Sequence, residues 1–353
     1  MKITAVEAQA YRIPIAWRAE PVVAAVARVR TDEGLEGLGP AIPFSALHVR
    51  SLVVAIRELG ELLAGEDPRL PERVHRKLMP GGAGYGGTDN LAVAALDVAV
   101  WDLAAQSAGL PLYRALGGYR NRVPVYASLR LGRDLSLGAL TETAAALVEQ
   151  GFRAVKMNLG GDAGIEADLA RVQAVRETIG DDVKLLADVN FRWTPAQAIR
   201  AGRALEEHGL YWLEDPVPTH NLEGLAEVRG ALDVPIAAGE ALFGLAPLRA
   251  LFEARAVDFP MPDLLRVGGI TPFLKAAHLA EAFGLPLASH LSPEISAQVV
   301  AAVPNGHIVE YNGWAWELFA GCPRLEAGEL VLSEAPGHGL KLHPDLAKQY
   351  ALR

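Results

Sequence analysis

The sequence predicts an α/β protein, in which a parallel barrel of the TIM type follows a smaller α+β unit. Two observations predict the barrel. From about residue 122, short apolar strands alternate with amphipathic helices at one regular period, which is typical of parallel β/α units. Nearly every strand also has an ionisable residue close to its C-terminal end, where barrel enzymes carry their chemistry. A doubly wound sheet is the alternative fold.

Eight segments are predicted as barrel strands, because each is short, apolar and rich in β-branched residues. They are VPVYASL (123–129), FRAVKMNL (152–159), VKLLADVN (183–190), LYWLEDP (210–216), VPIAAGE (234–240), VDFPMPD (257–263), LPLASHL (285–291) and HIVEYN (307–312). Between them, residues 165–179 keep helical spacing and end at Gly180, while Thr194 and Pro195 begin the next helix. The constant period favours one barrel over separate domains.

The N-terminal segment has a different character. Residues 1–60 predict strands followed by a helix, and residues 88–107 predict a long helix. A G-x-G-x-x-G match within GGAGYGG (81–87) is discounted as a dinucleotide site, because the segment before it does not resemble a strand. The turns and short strands that follow the barrel are expected to pack back on the N-terminal unit. The predicted division is an N-terminal α+β domain over 1–120, a barrel over 121–322 and a tail over 323–353.

Composition limits the classes of function. The chain has 353 residues, 51% of them hydrophobic and 21% charged, which is enough for a large core in a soluble protein. The net charge of −9, without a Lys/Arg tract, argues against a nucleic-acid partner. The start of the chain alternates like a strand, and the most apolar segment contains Asp97 and Asp102, so neither secretion nor a membrane span is expected. The single cysteine, Cys322, fits a reducing cytoplasm.

Seven ionisable residues lie close to the C-terminal ends of the predicted strands. They are Lys156, Asp188, Glu214, Glu240, Asp263, His290 and Glu310. In a parallel barrel these strand ends open on one mouth, so residues far apart in sequence are expected to converge there.

Three of the acidic residues predict a metal site. Asp188, Glu214 and Glu240 would end the third, fourth and fifth strands, where three anions would repel one another unless a cation neutralised them. Oxygen ligands without Cys or His favour Mg²⁺, or Mn²⁺, over zinc. A set of separate surface salt bridges is the alternative, and the shared strand position disfavours it.

Asp263 and His290 would end the sixth and seventh strands, which are neighbours. A carboxylate beside an imidazole fixes its tautomer and raises its basicity, so the pair is expected to act as a general acid/base. The alternative is a structural histidine.

Seven motifs in order along the chain resemble those of the enolase superfamily, and specifically of its mandelate racemase subgroup. The motifs are VKMN, LLADVN, YWLEDP, PIAAGEALFG, MPDLLRVGGIT, PLASHLSPEISA and IVEY. The resemblance covers essentially the whole chain and implies a (β/α)7β barrel, with a capping domain formed by the N-terminal segment and the C-terminal tail.

The resemblance also implies roles for single residues. Asp188, Glu214 and Glu240 are similar to the Mg²⁺ ligands of that family, and Glu310 to the acid that hydrogen-bonds the substrate carboxylate. Asp263 and His290 are similar to its His-Asp dyad; muconate-cycloisomerase-like relatives have a lysine base in place of Asp263. The implied chemistry is removal of the proton α to a carboxylate, with Mg²⁺ stabilising the resulting negative charge.

Lys156 and Asn158 are the residues that distinguish dehydration from racemisation. The two residues are two apart in a strand, so they face the same side. Lys156 is expected to be catalytic, either as a cation that stabilises negative charge or as a second acid/base. Racemising relatives have Lys-x-Lys, and a neutral Asn158 transfers no proton. We therefore predict dehydration of a sugar acid to a 2-keto-3-deoxy acid. The alternatives are racemisation or epimerisation of a 2-hydroxy acid, and a non-catalytic protein that binds anions.

A few further residues are candidates for setting substrate specificity. Asn158 and Asn190 are predicted to contact the substrate, and Asn190 follows Asp188 at a spacing that faces the same way. Further candidate contacts are Ser128, Arg192 and the loops 16–21 and 42–48. Because the second loop has few charges, a sugar acid with one carboxylate is slightly favoured over a diacid. The resemblance also implies a symmetric homo-oligomer.

Overall fold

The computed structural model of the chain describes residues 1–18, 20–43, 45–79, 86–314 and 316–352. Most of the glycine-rich loop and one residue in each of the loops 16–21 and 42–48 therefore lie outside the described residues.

The N-terminal unit packs helices against a three-stranded antiparallel sheet. The strands are β1 (Ile3–Ile13), β2 (Val22–Thr31) and β3 (Glu36–Ala41), in that spatial order, and the helices are α1 (Val49–Glu61), α2 (Pro71–Leu78), α3 (Gly87–Ser107) and α4 (Leu112–Ala115). Helix α3 lies directly on β3. Gly37 and Gly39 permit this approach, because a Cβ at either position would overlap a backbone carbonyl of α3.

Eight parallel strands form the barrel. They are β4 (Arg122–Leu131), β5 (Ala154–Asn158), β6 (Lys184–Asp188), β7 (Leu210–Glu214), β8 (Ile236–Ala238), β9 (Phe259–Pro260), β10 (Leu287–Ser289) and β11 (Gly306–Tyr311). Hydrogen bonding runs in the order β10-β11-β4-β5-β6-β7-β8-β9. A parallel bridge between Asp263 and His290 joins the two ends of this series. The predicted fold class, a barrel with a capping domain, is confirmed.

The helices of the barrel cover its outside. They are α5 (Leu137–Glu149), α6 (Ile165–Ile179), α7 (Pro195–Leu205), α8 (Leu222–Ala231), α9 (Leu245–Glu253), α10 (Leu264–Val267), α11 (Ile270–Ala282) and α12 (Pro293–Ala302). Helix α6 ends before Gly180, which has a φ of 72°. The Thr194 side chain caps α7 in a capping box with Gln197. Among the described residues, no helix is both long enough and apolar enough to cross a membrane.

One buried residue from each strand, or directly after it, fills the barrel interior. These eight residues form one cluster: Tyr126, Ala154, Leu186, Trp212, Ala237, Met261, Ala288 and Ile308. Large and small side chains interdigitate in this layer, and the Tyr126 and Trp212 rings meet edge to face with centroids 5.4 Å apart. The interior is therefore a packed floor beneath the mouth of the barrel.

The C-terminal tail packs against both units. Its elements are β12 (Phe319–Ala320), β13 (Arg324–Glu326), β14 (Glu329–Val331), β15 (Lys341–Leu342) and α13 (Pro344–Tyr350). Strand β14 pairs antiparallel with the start of β4. Farther along, the His338 ring nitrogen Nε2 lies 2.8 Å from the Leu38 carbonyl oxygen, and the Leu352 amide donates to the Ala10 carbonyl. The tail thus returns to the N-terminal sheet, while the exact domain boundaries stay a prediction.

Candidate active site

A polar layer lies directly above the apolar floor of the barrel. In a strand, residues two apart face the same side, so the residue two positions after each floor residue also points inward. Six of these positions carry predicted site residues: Lys156, Asp188, Glu214, Asp263, His290 and Glu310. All six are buried. The alternation of the strands therefore brings the predicted residues together at the C-terminal mouth.

Lys156 is the central cation of this layer. Its Nζ contacts a carboxylate oxygen of Glu214, lies 3.1 Å from Glu310 Oε1 and lies 3.4 Å from Asp188 Oδ2. Burial disfavours the ammonium, but Glu214, Glu310 and Asp188 outweigh it and raise the pKa of Lys156 well above its usual value. Lys156 is thus held as a fixed positive charge.

Asp188 and Glu214 lie side by side on neighbouring strands, paired in register. Burial and the neighbouring carboxylates raise the pKa of both acids, although Lys156 acts in the opposite direction. Trp212 Nε1 donates to Glu214 Oε2 at 3.0 Å. These two carboxylates therefore compete for the same positive charge.

Glu240 lies two residues beyond the end of β8, and its carboxylate contacts His290. Its Oε2 lies 3.0 Å from His290 Nε2, and its Oε1 lies 3.5 Å from Arg266 Nη1. Burial opposes the charge of this carboxylate, but His290 and Arg266 outweigh it and lower the pKa of Glu240. Glu240 thus faces the histidine side of the mouth.

The three predicted metal ligands fit a hard divalent cation by their chemistry. All three are buried carboxylates at the ends of consecutive strands. Burial and the neighbouring carboxylates raise the pKa of Asp188 and Glu214, and a bound cation would stabilise their charged forms. Among the described residues, no group of three or more His, Cys, Asp or Glu side chains is arranged as a ready-made metal site. The three carboxylates do not converge on one point, because Glu214 contacts Lys156 and Glu240 contacts His290.

His290 and Asp263 form a hydrogen-bonded pair. His290 Nδ1 lies 2.7 Å from Asp263 Oδ2, and the opposite nitrogen, Nε2, faces Glu240 and Glu310. Burial disfavours the imidazolium, but Glu240, Glu310 and Asp263 together raise the pKa of His290 to about 10. Asp263 Oδ1 also accepts the backbone N–H of Arg266, so the carboxylate is fixed from both sides.

Glu310 lies between Lys156 and His290. Its Oε2 accepts the backbone N–H of Leu291 at 2.8 Å. Burial opposes ionisation, but Lys156 and His290 outweigh it and lower the pKa of Glu310. The charges around Glu310 thus favour a carboxylate that accepts hydrogen bonds over a protonated acid that donates one.

The two predicted substrate-binding amides contact each other. Asn190 donates through Nδ2 to Asp188 Oδ2 at 2.8 Å, and its Oδ1 accepts from Asn158 Nδ2 at 3.0 Å. Arg133 Nη2 reaches the same Asn190 oxygen at 2.6 Å. Asn158 and Asn190 therefore form one polar edge beside Asp188.

Two buried residues of the mouth were missed by the sequence-based predictions. Arg266 touches both sides of the histidine pair, donating to the Glu240 carbonyl oxygen at 2.7 Å and lying 3.9 Å from Asp263 Oδ2. Asp215 is fully buried, and its carboxylate has no hydrogen-bond partner among the described residues. Both stand next to assigned motifs, Arg266 three residues after Asp263 and Asp215 directly after Glu214. Their position next to these motifs is the sequence feature that could have identified the two residues.

Backbone strain is concentrated at the same mouth. Eight described residues other than glycine have a positive φ. Six of them lie within three residues of the C-terminal ends of barrel strands: Leu129, Asn190, Phe191, Asp215, Leu291 and Ser292. Strained backbone of this kind clusters at functional sites, where the surrounding structure holds it in place.

A cavity of about 190 Å³ opens above the histidine pair. Its lining includes Asp263, His290, Trp314 and, from the N-terminal unit, Ile42 and Leu91. A larger cavity of about 1050 Å³ lies between α2, α9 and α11, but none of the predicted site residues lines it. The smaller cavity, which both units enclose, is therefore the candidate substrate site.

Comparison with known proteins places both parts of the chain in one family. Residues 4–117 match the N-terminal domain of mandelate racemase / muconate lactonizing enzyme, and residues 139–346 match the enolase C-terminal domain-like family. The L-talarate/galactarate dehydratase of Salmonella typhimurium is 34% identical over 319 residues, which are 90% of this chain and 80% of that protein.

Solved structures show the same fold. L-Talarate dehydratase from Polaromonas sp. JS666, complexed with Mg and L-glucarate, is 35% identical, with a TM-score of 0.92 over 100% of this chain and 98% of that chain. A racemase from Streptomyces coelicolor A3(2) with bound magnesium is 30% identical, with a TM-score of 0.91 over 99% of this chain and 100% of that chain. Dehydratases and racemases thus both occur among the similar proteins. The chain belongs to the mandelate racemase / muconate lactonizing enzyme family of the enolase superfamily.

Proposed function

We propose that the chain is a Mg²⁺-dependent acid-sugar dehydratase, which removes the proton α to a carboxylate and eliminates the β-hydroxyl to give a 2-keto-3-deoxy acid. One observation carries the proposal. His290 and Asp263 form a proton-transfer pair on one wall of the mouth, whereas Lys156 is held as a cation on the other wall and Asn158 beside it transfers no proton. The similarity to acid-sugar dehydratases supports the same reaction.

The histidine pair moves the proton. Asp263 holds Nδ1 of His290 by a hydrogen bond, so the tautomer that leaves Nε2 as the acceptor is favoured. Glu240 is the largest electrostatic cause of the raised pKa of His290. With Glu240 holding Mg²⁺, this carboxylate would no longer stabilise the imidazolium, so Nε2 would be unprotonated and would take the α-proton. The imidazolium then protonates the β-hydroxyl, which leaves as water, and the remaining enol tautomerises to the keto acid.

The other residues bind the substrate and balance its charge. Asp188, Glu214 and Glu240 would hold the Mg²⁺, and Mn²⁺ would fit the same oxygen ligands. When bound, the metal supplies positive charge that stabilises the anion formed as the proton leaves. Lys156 adds a second positive charge on the same side, and Glu310 and Asn190 bind and orient the hydroxyls of the substrate. The cytoplasmic location and the homo-oligomeric state stay predictions.

Racemisation is the second candidate, since a racemase is among the similar structures. It needs proton transfer on both faces of the substrate carbon. Asn158 stands where racemising relatives have a second lysine, and a neutral amide transfers no proton, so elimination is favoured instead.

A library of acid sugars, each incubated with the enzyme and Mg²⁺, tests the proposal. We expect one or a few of them to yield a 2-keto acid, detected as a semicarbazone. His290→Asn should lower this activity by at least about 10³-fold, whereas His278→Gln, at an exposed position on α11, should not change it. Racemisation of a 2-hydroxy acid without keto-acid formation would overturn the proposal.

A further inference from the structure

Two arginines and two tryptophans form a cluster at the rim of the mouth. The guanidinium of Arg130, near the end of β4, lies 5.0 Å from the Trp17 ring centroid. Arg18, on the loop after β1, lies 5.0 Å from the Trp314 ring and 6.0 Å from the Trp17 ring. We call these four residues the rim cluster. It joins the N-terminal unit to the ends of β4 and β11.

The two arginines of the rim cluster are the source of its positive charge. Within the part of the chain that the structure describes, no carboxylate pairs with Arg18 or Arg130, and their side chains make only the ring contacts above. Arg130 is only partly exposed, and burial lowers its pKa. In a chain of net charge −9, two guanidinium groups that both lie against the Trp17 ring, without a carboxylate partner among the described residues, form a site that favours an anion.

Two neutral hydrogen-bond donors also support a ligand site at the rim cluster. Asn312 Nδ2 and Trp314 Nε1 are buried, and neither has a hydrogen-bond partner among the described residues. Asn312 follows Glu310 by two residues just after β11, so it continues the inward-facing side of that strand. Buried donors without partners are rare, and they are commonly satisfied by a ligand or by water.

The rim cluster is continuous with the candidate substrate site. Trp314 belongs to the cluster and also lines the cavity of about 190 Å³, together with His290. Leu129, the residue before Arg130, lines the same cavity. A short linear substrate that has its reacting end at His290 would therefore extend its far end toward Arg18 and Arg130.

From this arrangement we infer that Arg130 and Arg18, with Asn312 and Trp314, bind a second carboxylate at the far end of the substrate, so that the substrate is a linear sugar diacid. The inference rests on the proposed function and names its substrate class. It replaces the slight preference for a monoacid, which considered only the charges of loop 42–48. A carboxylate suits the site because it accepts two parallel hydrogen bonds from a guanidinium.

Calorimetric binding to the Mg²⁺-loaded His290→Asn enzyme tests the inference without turnover. The ligands are an aldarate, the aldonate of the same configuration and the 6-phosphate of that aldonate. We expect the aldarate to bind at least 10-fold more tightly than either of the others. Arg130→Met keeps the alkyl part of the side chain on Trp17 and should reduce this preference about 10- to 100-fold, as expected for loss of a charged hydrogen bond. Arg130→Lys should restore part of it.

The exposed Arg200 on α7 provides the matched control. Arg200→Ala should leave the preference unchanged, and melting temperatures of all variants show whether they are folded. Equal binding of aldarate and aldonate, tighter binding of the phosphate, or equal losses for all three ligands in Arg130→Met would overturn the inference.

The keto-acid assay separates this inference from the proposed function. Equal kcat/KM for keto-acid formation from aldarate and aldonate would contradict the diacid site but not the proposed dehydration. A clear binding preference for aldarates without keto acid from any sugar acid would leave the diacid site and remove dehydration.

Discussion

His290 Nδ1 lies 2.7 Å from Asp263 Oδ2, and the same two residues form the parallel bridge that joins β9 to β10. The contact that closes the barrel is therefore also the contact that orients the imidazole. Closure of the fold and assembly of the base depend on one pair of strand ends.

Asp263→Asn tests the role of this pair. The amide keeps the size of the side chain but no longer stabilises the imidazolium, so kcat should fall by about 10²- to 10⁴-fold. Steady-state kinetics on the substrate found in the acid-sugar library measure the effect, and circular dichroism checks the fold. Asp181→Asn, at an exposed position outside the mouth, is the control. An unchanged kcat would show that Asp263 has only a structural role.

Metal binding should be visible in stability as well as in activity. A cation that binds the folded state alone stabilises it by about 2.7 kcal/mol at 100 times its dissociation constant. Differential scanning fluorimetry should therefore show a higher melting temperature with Mg²⁺ than with EDTA. The difference should disappear in Asp188→Asn and persist in Asp181→Asn. The same Mg²⁺ shift in Asp188→Asn would place the metal elsewhere.

Much of the site could be predicted from the sequence because strand alternation is regular. Lys156, Asp188 and Glu214 each stand two residues after a residue of the barrel floor, so one rule brings all three inward. The eight strands are predicted from short apolar runs at one regular period, although most of them are shorter than predicted. Residues 257–263 pair as a strand only over Phe259–Pro260, since Pro260 and Pro262 have no N–H for a ladder.

The contacts made beyond the strand ends could not be predicted in this way. Gly239 has a φ of 127° and turns the chain after β8, so Glu240 leaves the strand pattern and meets His290. Arg266 lies on a helical turn, α10, whose direction no periodicity of the sequence specifies. The rim cluster depends on the approach of a loop of the N-terminal unit to the barrel, which is a tertiary contact between distant residues.

Gly39 tests the packing of the N-terminal sheet. A Cβ at this position would overlap the Ala95 carbonyl oxygen of α3. Gly39→Ala should therefore lower the free energy of unfolding by about 1–3 kcal/mol, as is typical of overpacking. Denaturant titration provides the measurement. Gly138→Ala, in α5 with no atom within 4 Å of the new Cβ, should be neutral or slightly stabilising. Equal effects at the two positions would contradict the close packing of α3 on β3.

His307, at the closed end of the barrel, should make the fold sensitive to acid. Burial, followed by Lys184 and Arg120, lowers the pKa of His307 to about 4 from its usual 6.5, so the folded state holds the ring neutral. Between about pH 6.5 and pH 4, His307 is protonated in the unfolded state but neutral in the folded state. The free energy of unfolding therefore falls as the pH drops toward 4. Urea titrations across this range should show a smaller decline for His307→Gln. Exposed His48→Gln is the control, and an identical decline in all three proteins would exclude this cause.

Incubation of the Mg²⁺-loaded enzyme with its sugar acid in D₂O, followed by ¹H NMR, tests the central claim most directly. The claim is that one histidine pair removes the α-proton and then assists loss of the β-hydroxyl. We predict a 2-keto-3-deoxy acid that carries deuterium at C3, with no epimer of the substrate. Accumulation of α-deuterated substrate of inverted configuration, without any keto acid, would contradict it.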